Sequence, residues 1–275
     1  MLKDVVVNIS GRAPLDYASE YAASIAATFG AYIAGISFLY EPVIPDGTLG
    51  GVPIDLIELQ REDNSKSAKD AVSRFEAAVK KAGVSAETRI LDATFGGAAT
   101  LFAQIARRFD LAVVSQAQRE HGASDELMIE GALFESGRPV VVVPYIQKRG
   151  LTLERVLVCW DGSRTAARAV GDAMPFLERA KTVDIVIVTE DRKNEKVTGA
   201  SMREHLARHG VAAQIKRVAR GDLAIEDAIL SYAADSGADF MVMGGYGHSR
   251  LREFILGGAT RGILASMTLP VLLSH

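Results

Sequence analysis

Cysteine is nearly absent from this chain of 275 residues, which has only Cys159. One cysteine cannot close a disulfide within the chain, and it offers no cysteine cluster for a structural metal. No stretch reaches about 18 uninterrupted apolar residues, so the sequence predicts no membrane-spanning helix. The first residues include an acid, Asp4, and an amide, Asn8, where a secretion signal needs a long apolar stretch. We therefore expect a cytoplasmic protein.

An excess of positive charge is also absent. Lysine and arginine together number 31 against 34 acidic residues, which gives a formal net charge of −3. This balance lacks the basic excess of domains that bind the nucleic-acid backbone, so we expect no nucleic-acid partner. Hydrophobic residues make up 48% of the chain and charged residues 24%, as in an ordinary globular protein. The length fits one large domain or two of about 130 to 140 residues.

An internal repeat indicates two domains rather than one. An apolar, β-branched run that ends in a turn occurs at residues 3–11 and again at residues 154–163. Each copy also has a later matching run and closes with a strand that begins at a proline, Pro139 or Pro270. We therefore predict domains at residues 1–147 and 151–275, joined by a short polar linker.

Within each copy, β-branched runs alternate with helical patterns, which predicts βαβ units around a parallel sheet covered by helices on both faces. The predicted α/β fold is therefore a tandem of two doubly wound, five-stranded domains. The first copy is about 20 residues longer, and we place its extra length in residues 41–61. The predicted strands are residues 4–9, 32–40, 86–91, 110–115 and 139–144, then 155–160, 183–189, 212–218, 239–244 and 270–274.

A glycine-rich segment follows the fourth strand of the second copy. Glycines permit positive φ and let backbone N–H groups converge on a ligand, and a helix that begins near Ala259 adds free N–H donors. This combination is typical of a phosphate-binding loop. The alternative is a loop in which glycine serves only tight turns. The glycines are Gly244, Gly245, Gly247, Gly257 and Gly258.

The spacing Gly244-x2-Gly247-x9-Gly257, between an apolar strand and a helix, resembles the nucleotide-binding motif of the universal stress protein family. The second copy resembles that family along its full length, and the whole chain resembles a tandem member. The resemblance implies five parallel strands in the order 3-2-1-4-5 in each domain. It also implies ATP, or another adenine nucleotide, as the ligand.

The resemblance assigns the adenosine end of the nucleotide to Asp161 and Val188 and the phosphates to the glycine-rich segment. Ligands of doubly wound sheets bind where the strand order reverses, and this point lies between the first and fourth strands, beside Asp161 and Gly244. The sequence departs from the family motif at Gly258, where Ser or Thr is usual. The candidate nucleotide-binding residues are Asp161, Val188, Met243, Gly244, Gly247, His248, Gly257, Gly258, Ala259 and Thr260.

The first copy departs much further from the motif. Ser10 stands at the place of Asp161, residues 115–121 contain no glycine, and Glu126 is near the place of Gly257. A carboxylate at that place would repel a phosphate. We therefore expect the first copy to keep the fold without the nucleotide site.

Three functions remain open from the sequence. The first is a stress-response protein that binds an adenine nucleotide in its C-terminal domain and thereby regulates its association with a protein partner of unknown identity. The second is a slow ATPase or phosphotransferase that uses Mg²⁺ in the same crevice. The third is an interaction scaffold that binds no nucleotide. We assign no catalytic residue and no metal site; His205 and His209 have helical spacing but lack a third ligand.

The fifth strand of each predicted domain is a short apolar edge with unpaired backbone groups. Pairing residues 139–143 with residues 270–273 inside one chain would cover both edges. The chain would then be a pseudo-dimer with approximate twofold symmetry, and a homodimer through other surfaces stays open.

Overall fold

The computed structural model describes residues 1–10, 16–41, 54–118, 122–189, 197–246 and 258–275. Strands and helices alternate through these residues. The strands are β1 Asp4–Asn8, β2 Tyr32–Tyr40, β3 Ala86–Ala93, β4 Leu111–Ser115, β5 Val140–Val143, β6 Arg155–Cys159, β7 Thr182–Thr189, β8 Ala213–Ala219, β9 Phe240–Gly244 and β10 Val271–Ser274. The helices are α1 Tyr17–Phe29, α2 Ile54–Ala82, α3 Gly97–Ala106, α4 Gly122–Glu135, α5 Arg164–Leu177, α6 Ala200–Arg208, α7 Ile225–Ser236 and α8 Ala259–Ser266.

All ten strands form one sheet in the order β3-β2-β1-β4-β5-β10-β9-β6-β7-β8. The strand pairs within each half are parallel, which gives the predicted 3-2-1-4-5 order twice. The halves meet where β10 pairs antiparallel with β5, with Leu272 opposite Val141. The predicted pairing of the two fifth strands is thus present, and it joins the two halves into one continuous sheet.

The central strands are buried on both faces. In β1, Val5 and Val7 belong to one hydrophobic core and Val6 to the other, because successive side chains of a strand point to opposite faces. Helices α1, α2, α5 and α6 contribute to the first core, and helices α3, α4, α7 and α8 to the second. This confirms the predicted doubly wound α/β fold. Among the described residues, no helix has the length and apolar character needed to span a membrane.

The extra length of the first copy lies between its second and third strands. There, α2 has 29 residues, whereas α6 at the matching position of the second half has 9. The predicted location at residues 41–61 therefore includes the first turns of a long helix, since residues 54–61 belong to α2. Residues 42–53 lie outside the described part of the chain.

The junction between the halves also contains a buried amide side chain. Gln116, which follows β4, is 1% exposed. Its Nε2 donates to the carbonyl oxygen of Leu264 at 2.8 Å, and its Oε1 accepts from the backbone N–H of Tyr145 at 3.3 Å. A buried amide with both ends bonded is favourable only in one arrangement of its neighbours, so Gln116 fixes how α8 of the second half docks on the first.

Candidate functional site

The sheet places the two anchors of the predicted nucleotide site on neighbouring strands. β6 and β9 are paired, with Val158 opposite Val242, and both strands end at the same edge of the sheet. Asp161 comes two residues after β6, and Gly244 is the last residue of β9. Val188 lies near the end of β7, the other neighbour of β6. The structure thus brings Asp161, Val188 and Gly244 to one edge, at the point where the strand order reverses.

The Asp161 side chain takes part in the start of α5. Its Oδ1 accepts a hydrogen bond from the backbone N–H of Ser163 at 2.8 Å, and Gly162 between them has a φ of 76°. Ser163 then caps the helix, because its Oγ accepts from the N–H of Ala166 at 3.1 Å. The turn that carries Asp161 is therefore fixed by local hydrogen bonds, and the N-terminus of α5 lies at the crevice.

Gly244 and Gly245 are required by close packing. A Cβ on Gly244 would lie 2.5 Å from the backbone nitrogen of Ala166, so the first turn of α5 excludes any side chain there. A Cβ on Gly245 would lie 2.9 Å from Cδ2 of Leu133, on α4 of the other half. Close packing therefore explains why both residues at the end of β9 are glycines. This explanation stands beside the phosphate-binding role that the sequence predicts for Gly244.

Tyr246 follows the two glycines at the end of β9 and is anchored on both sides. Tyr246 has a φ of 53°, a value that non-glycine residues adopt rarely. Its N–H donates to Oγ1 of Thr260 at 3.3 Å, and its ring packs on Phe134 with centroids 5.1 Å apart. Burial raises the pKa of its hydroxyl to about 12, with a further rise from the charges of Glu130 and Glu126. The Thr260 hydroxyl therefore holds Tyr246 against α8.

Helix α8 begins at a residue that only glycine suits. Gly258 has φ 66° and ψ −140°, and no atom lies within 4 Å of the position that its Cβ would take. This conformation explains the departure from the family motif, because Ser or Thr would be strained there. Ala259 is the first residue of α8, and the half-buried N-terminal turn continues to the buried Thr260. Met243, also a candidate, is buried in β9.

Three candidate residues, Gly247, His248 and Gly257, lie outside the described residues.

In the first half, the equivalent edge is built differently. Ser10 follows β1, and its carbonyl oxygen accepts from a guanidinium nitrogen of Arg74 at 3.3 Å. Glu126, expected near the place of Gly257, lies inside α4, because α4 has 14 residues where α8 has 8.

The structure also describes the histidine pair and the single cysteine that the sequence analysis considered. The rings of His205 and His209 lie 4.7 Å apart, and the described residues hold no group of three potential metal ligands. Burial raises the pKa of the Cys159 thiol to about 12, and the nearby charge of Asp161 adds to the rise. The thiol is therefore protonated at neutral pH, as expected for an inert residue.

Sequence reasoning missed Tyr246, Gln116 and Leu133 as neighbours of the site. Their contacts join residues more than 100 positions apart, and no local pattern marks them. A signal for Tyr246 was present, since it interrupts a run of glycines at the end of a buried strand.

The comparisons with known proteins agree on one family. Residues 152–275 match the model of the universal stress protein family. A curated universal stress protein from Synechocystis is 28% identical over 166 residues, which are 57% of this chain and 52% of that protein. The chain thus spans about half the length of this curated relative.

A solved structure shows the same fold over nearly the whole chain. A universal stress protein from Archaeoglobus fulgidus aligns with 98% of this chain and 95% of its own at 18% identity, with a TM-score of 0.74. A universal stress protein solved in complex with cAMP aligns with 52% of this chain and 97% of its own, at 19% identity and a TM-score of 0.36. Residues 152–275 therefore form a universal stress protein domain, and the first half of the chain repeats its fold.

Proposed function

We propose that the second half of this chain binds an adenine nucleotide in the crevice between the ends of β6 and β9. The observation that carries the proposal is the charge at the helix N-termini. Helices α5 and α8 both begin at this crevice, and neither has an acidic residue in its first turn. The matching helices of the first half do, Glu20 in α1 and Asp125 in α4.

This difference matters because the N-terminus of a helix carries a partial positive charge and free N–H donors, which stabilise an anion nearby. Two such termini converge on one crevice in the second half. Arg164, the exposed first residue of α5, adds a full positive charge. In the first half, carboxylates offset the same partial charges. The second half is thus the one suited to a phosphorylated ligand.

The roles follow from the placement of the residues. Asp161 and Val188 would contact the adenosine end, since they follow the first strand and lie near the end of its neighbour. Backbone N–H groups from Gly258 to Thr260 would bind phosphate, because the space beside Gly258 is open. Gly247, His248 and Gly257 would complete the phosphate site. The domains of this proposal are residues 1–147, without the site, and 151–275, with it.

The role that we propose is regulation of a protein partner by nucleotide occupancy. Tyr246 packs on Phe134 and α8 is bonded to Gln116, so a nucleotide that shifts Tyr246 or α8 would act on the junction between the halves. The cAMP-bound relative aligns at too low a TM-score to support the proposal. An ATPase using Mg²⁺ and a scaffold without nucleotide are the alternatives that the experiment separates.

The test is calorimetric titration of the full chain with ATP, ADP, AMP and cAMP. We expect one nucleotide per chain, loss of binding in Asp161→Ala, and unchanged binding in the matched variant Ser10→Ala. Two equivalent sites would contradict the asymmetry, and no binding would favour the scaffold. Phosphate release from ATP that disappears in Asp161→Ala would favour the enzyme.

A further inference from the structure

The sheet of the described residues ends in β3 at one edge and in β8 at the other. β3 has 8 residues, and the side chain of Ile90 near its middle is 42% exposed. A long edge strand with exposed apolar residues is a template for pairing with another strand. The chain already uses such a contact once, where β5 and β10 pair antiparallel to join the two halves.

The backbone bonds of β3 show which of its groups face the open side. Glu41, which follows β2, donates to the carbonyl oxygen of Ala93. Residues two positions apart in a strand direct their backbone groups the same way, so the odd-numbered residues of β3 bond to β2. The N–H and carbonyl groups of Ala86, Thr88 and Ile90 therefore point away from β2. In the described part of the chain, these outward groups have no hydrogen-bond partner.

The sequence of β3 is complementary to itself in one antiparallel register. This register is centred on Thr88, which lies opposite Thr88 of a second copy. Ala86 then lies opposite the exposed Ile90 of that copy, so an apolar residue meets an apolar one. Glu87 lies opposite Arg89, so opposite charges meet. The outward-facing residues form the hydrogen-bonded pairs of this register, which gives about six backbone hydrogen bonds.

Other registers and the other edge lack this complementarity. A register centred on Glu87 or on Arg89 places that residue opposite itself, and like charges directly opposite are destabilising. In β8, the charged residues are Lys216 and Arg217. Both are positive, so no register of β8 with itself pairs opposite charges. A cationic edge strand of this kind is protected against pairing.

The two charged residues of β3 also have partners inside the chain. Nη2 of Arg89 lies 2.8 Å from Oε1 of Glu87, and the Tyr32 hydroxyl interacts with the same carboxylate. A carboxylate accepts about four hydrogen bonds and a guanidinium donates about five, so both groups keep capacity for a second partner. The backbone groups and the pairing of Ile90 with Ala86 therefore supply the attraction. The charges select the register.

We propose that β3 pairs antiparallel with β3 of a second copy of this chain, with Thr88 on the twofold axis. Each chain has one such strand, so the contact closes at a dimer. The hydroxyl of Thr88 donates to Glu76 of α2 at 3.4 Å, and the two Glu76 carboxylates approach each other near the axis. This repulsion and the small contact area give a weak dimer, formed at roughly 100 μM and dissociated at about 1 μM. The contact does not depend on the proposed function.

The test is analytical ultracentrifugation of the full chain across this concentration range. Thr88→Pro removes the N–H at the centre of the ladder, which has no partner within the described chain, so we expect a folded monomer. The matched control is Ala219→Pro in β8. Arg220 donates to the carbonyl oxygen of Thr189 of β7, so the N–H of Ala219 faces the open side of β8. This variant should dimerise normally, and urea denaturation checks the folding of both.

Charge reversals test the register. Glu87→Arg and Arg89→Glu each place like charges opposite each other, so each should weaken the dimer roughly tenfold. The two variants change the net charge of the chain in opposite directions, so net charge does not explain a shared loss. The variant with both changes should recover the original affinity. An equimolar mixture of the two single variants should form a heterodimer, because every charge again meets an opposite one.

Four outcomes would overturn the proposal. The first is a chain that stays monomeric at the highest concentration, and the second is a Thr88→Pro chain that dimerises as well as the original. Masses that rise beyond the dimer would indicate head-to-tail pairing of β3 with the cationic β8 and would contradict a twofold contact. A double charge variant as weak as the single variants would show that the register is wrong.

Discussion

Val141 of β5 and Leu272 of β10 lie opposite each other in the antiparallel ladder that joins the two halves, and both are fully buried. Each would stand on an exposed edge strand if its half were alone. Unpaired backbone groups on an apolar edge strand favour pairing with another chain. The ladder thus removes two edges that would otherwise promote association, and it places the two halves about an approximate twofold axis.

The first prediction follows from this ladder. A fragment of residues 151–275 expressed alone should self-associate, because β10 loses β5 as its neighbour. Light scattering gives its mass in solution, and the full chain at the same concentration is the control. A monomeric fragment whose β10 amides exchange slowly with solvent would show that the edge is protected in another way.

Two adjacent glycines provide the second prediction. Gly244→Ala should lower the free energy of unfolding by about 3 kcal/mol, because its Cβ would meet the backbone of Thr165 and Ala166. Gly245→Ala should cost only about 1 kcal/mol, because the Leu133 side-chain tip that it meets can move. Urea denaturation measures both variants. Leu133→Ala should relieve the cost at Gly245 and not at Gly244, and equal costs for the two glycines would contradict the packing argument.

The sequence predicted all ten strands to within a few residues, because a buried parallel strand is a short apolar run that can be recognised locally. The strand order came from the family resemblance. The packing requirement for glycine at position 244 could not be predicted, since it depends on where α5 docks. The Gln116 contact with Leu264 joins the two halves, and nothing in either local sequence marks it. Both features depend on packing between segments that are far apart in the chain, and local sequence patterns do not predict such packing.

A buried carboxylate in β7 is a further feature that the sequence did not indicate, and it gives the third prediction. Asp184 is 0% exposed, and its Oδ2 accepts from Arg155 at 2.7 Å and from the Tyr232 hydroxyl at 3.1 Å. Arg155→Met should cost about 3 kcal/mol of folding free energy, because it leaves a buried charge unpaired. Tyr232→Phe should cost about 1 kcal/mol.

The control for this pair is Arg89→Met. It breaks the ion pair of Arg89 with Glu87, in which both side chains are at least 36% exposed. Exposed pairs contribute little, so we expect a change below about 0.5 kcal/mol in urea denaturation. A similar cost for Arg89→Met and Arg155→Met would show that the burial of Asp184 does not matter.

The fourth prediction concerns the Cys159 thiol. Burial raises its pKa from 9.0 in an exposed thiol to about 12. Because only the thiolate reacts, alkylation by iodoacetamide at pH 8 should be about a thousandfold slower in the folded chain than in urea. The raised pKa also stabilises the fold fully below pH 9, and this contribution is lost as the pH rises from 9 towards 12. Rapid labelling of the native chain, followed by mass spectrometry, would contradict the assignment of Cys159 as inert.

The last prediction concerns Arg164, the exposed first residue of α5. A positive charge at a helix N-terminus is unfavourable for the helix, so Arg164→Glu should leave the free energy of unfolding unchanged or raise it by about 0.5 kcal/mol. The same change should weaken ATP binding roughly tenfold at low salt and less at high salt, because a repulsive charge replaces an attractive one beside the phosphates. Arg208→Glu, at an exposed position in the last turn of α6, gives the same change in net charge and should leave the affinity unchanged. Calorimetry and urea denaturation measure the two quantities separately. Weaker ATP binding without a loss of stability in Arg164→Glu would show that the Arg164 charge acts on the ligand. Equal weakening of ATP binding by Arg164→Glu and Arg208→Glu would show that only the net charge of the chain matters.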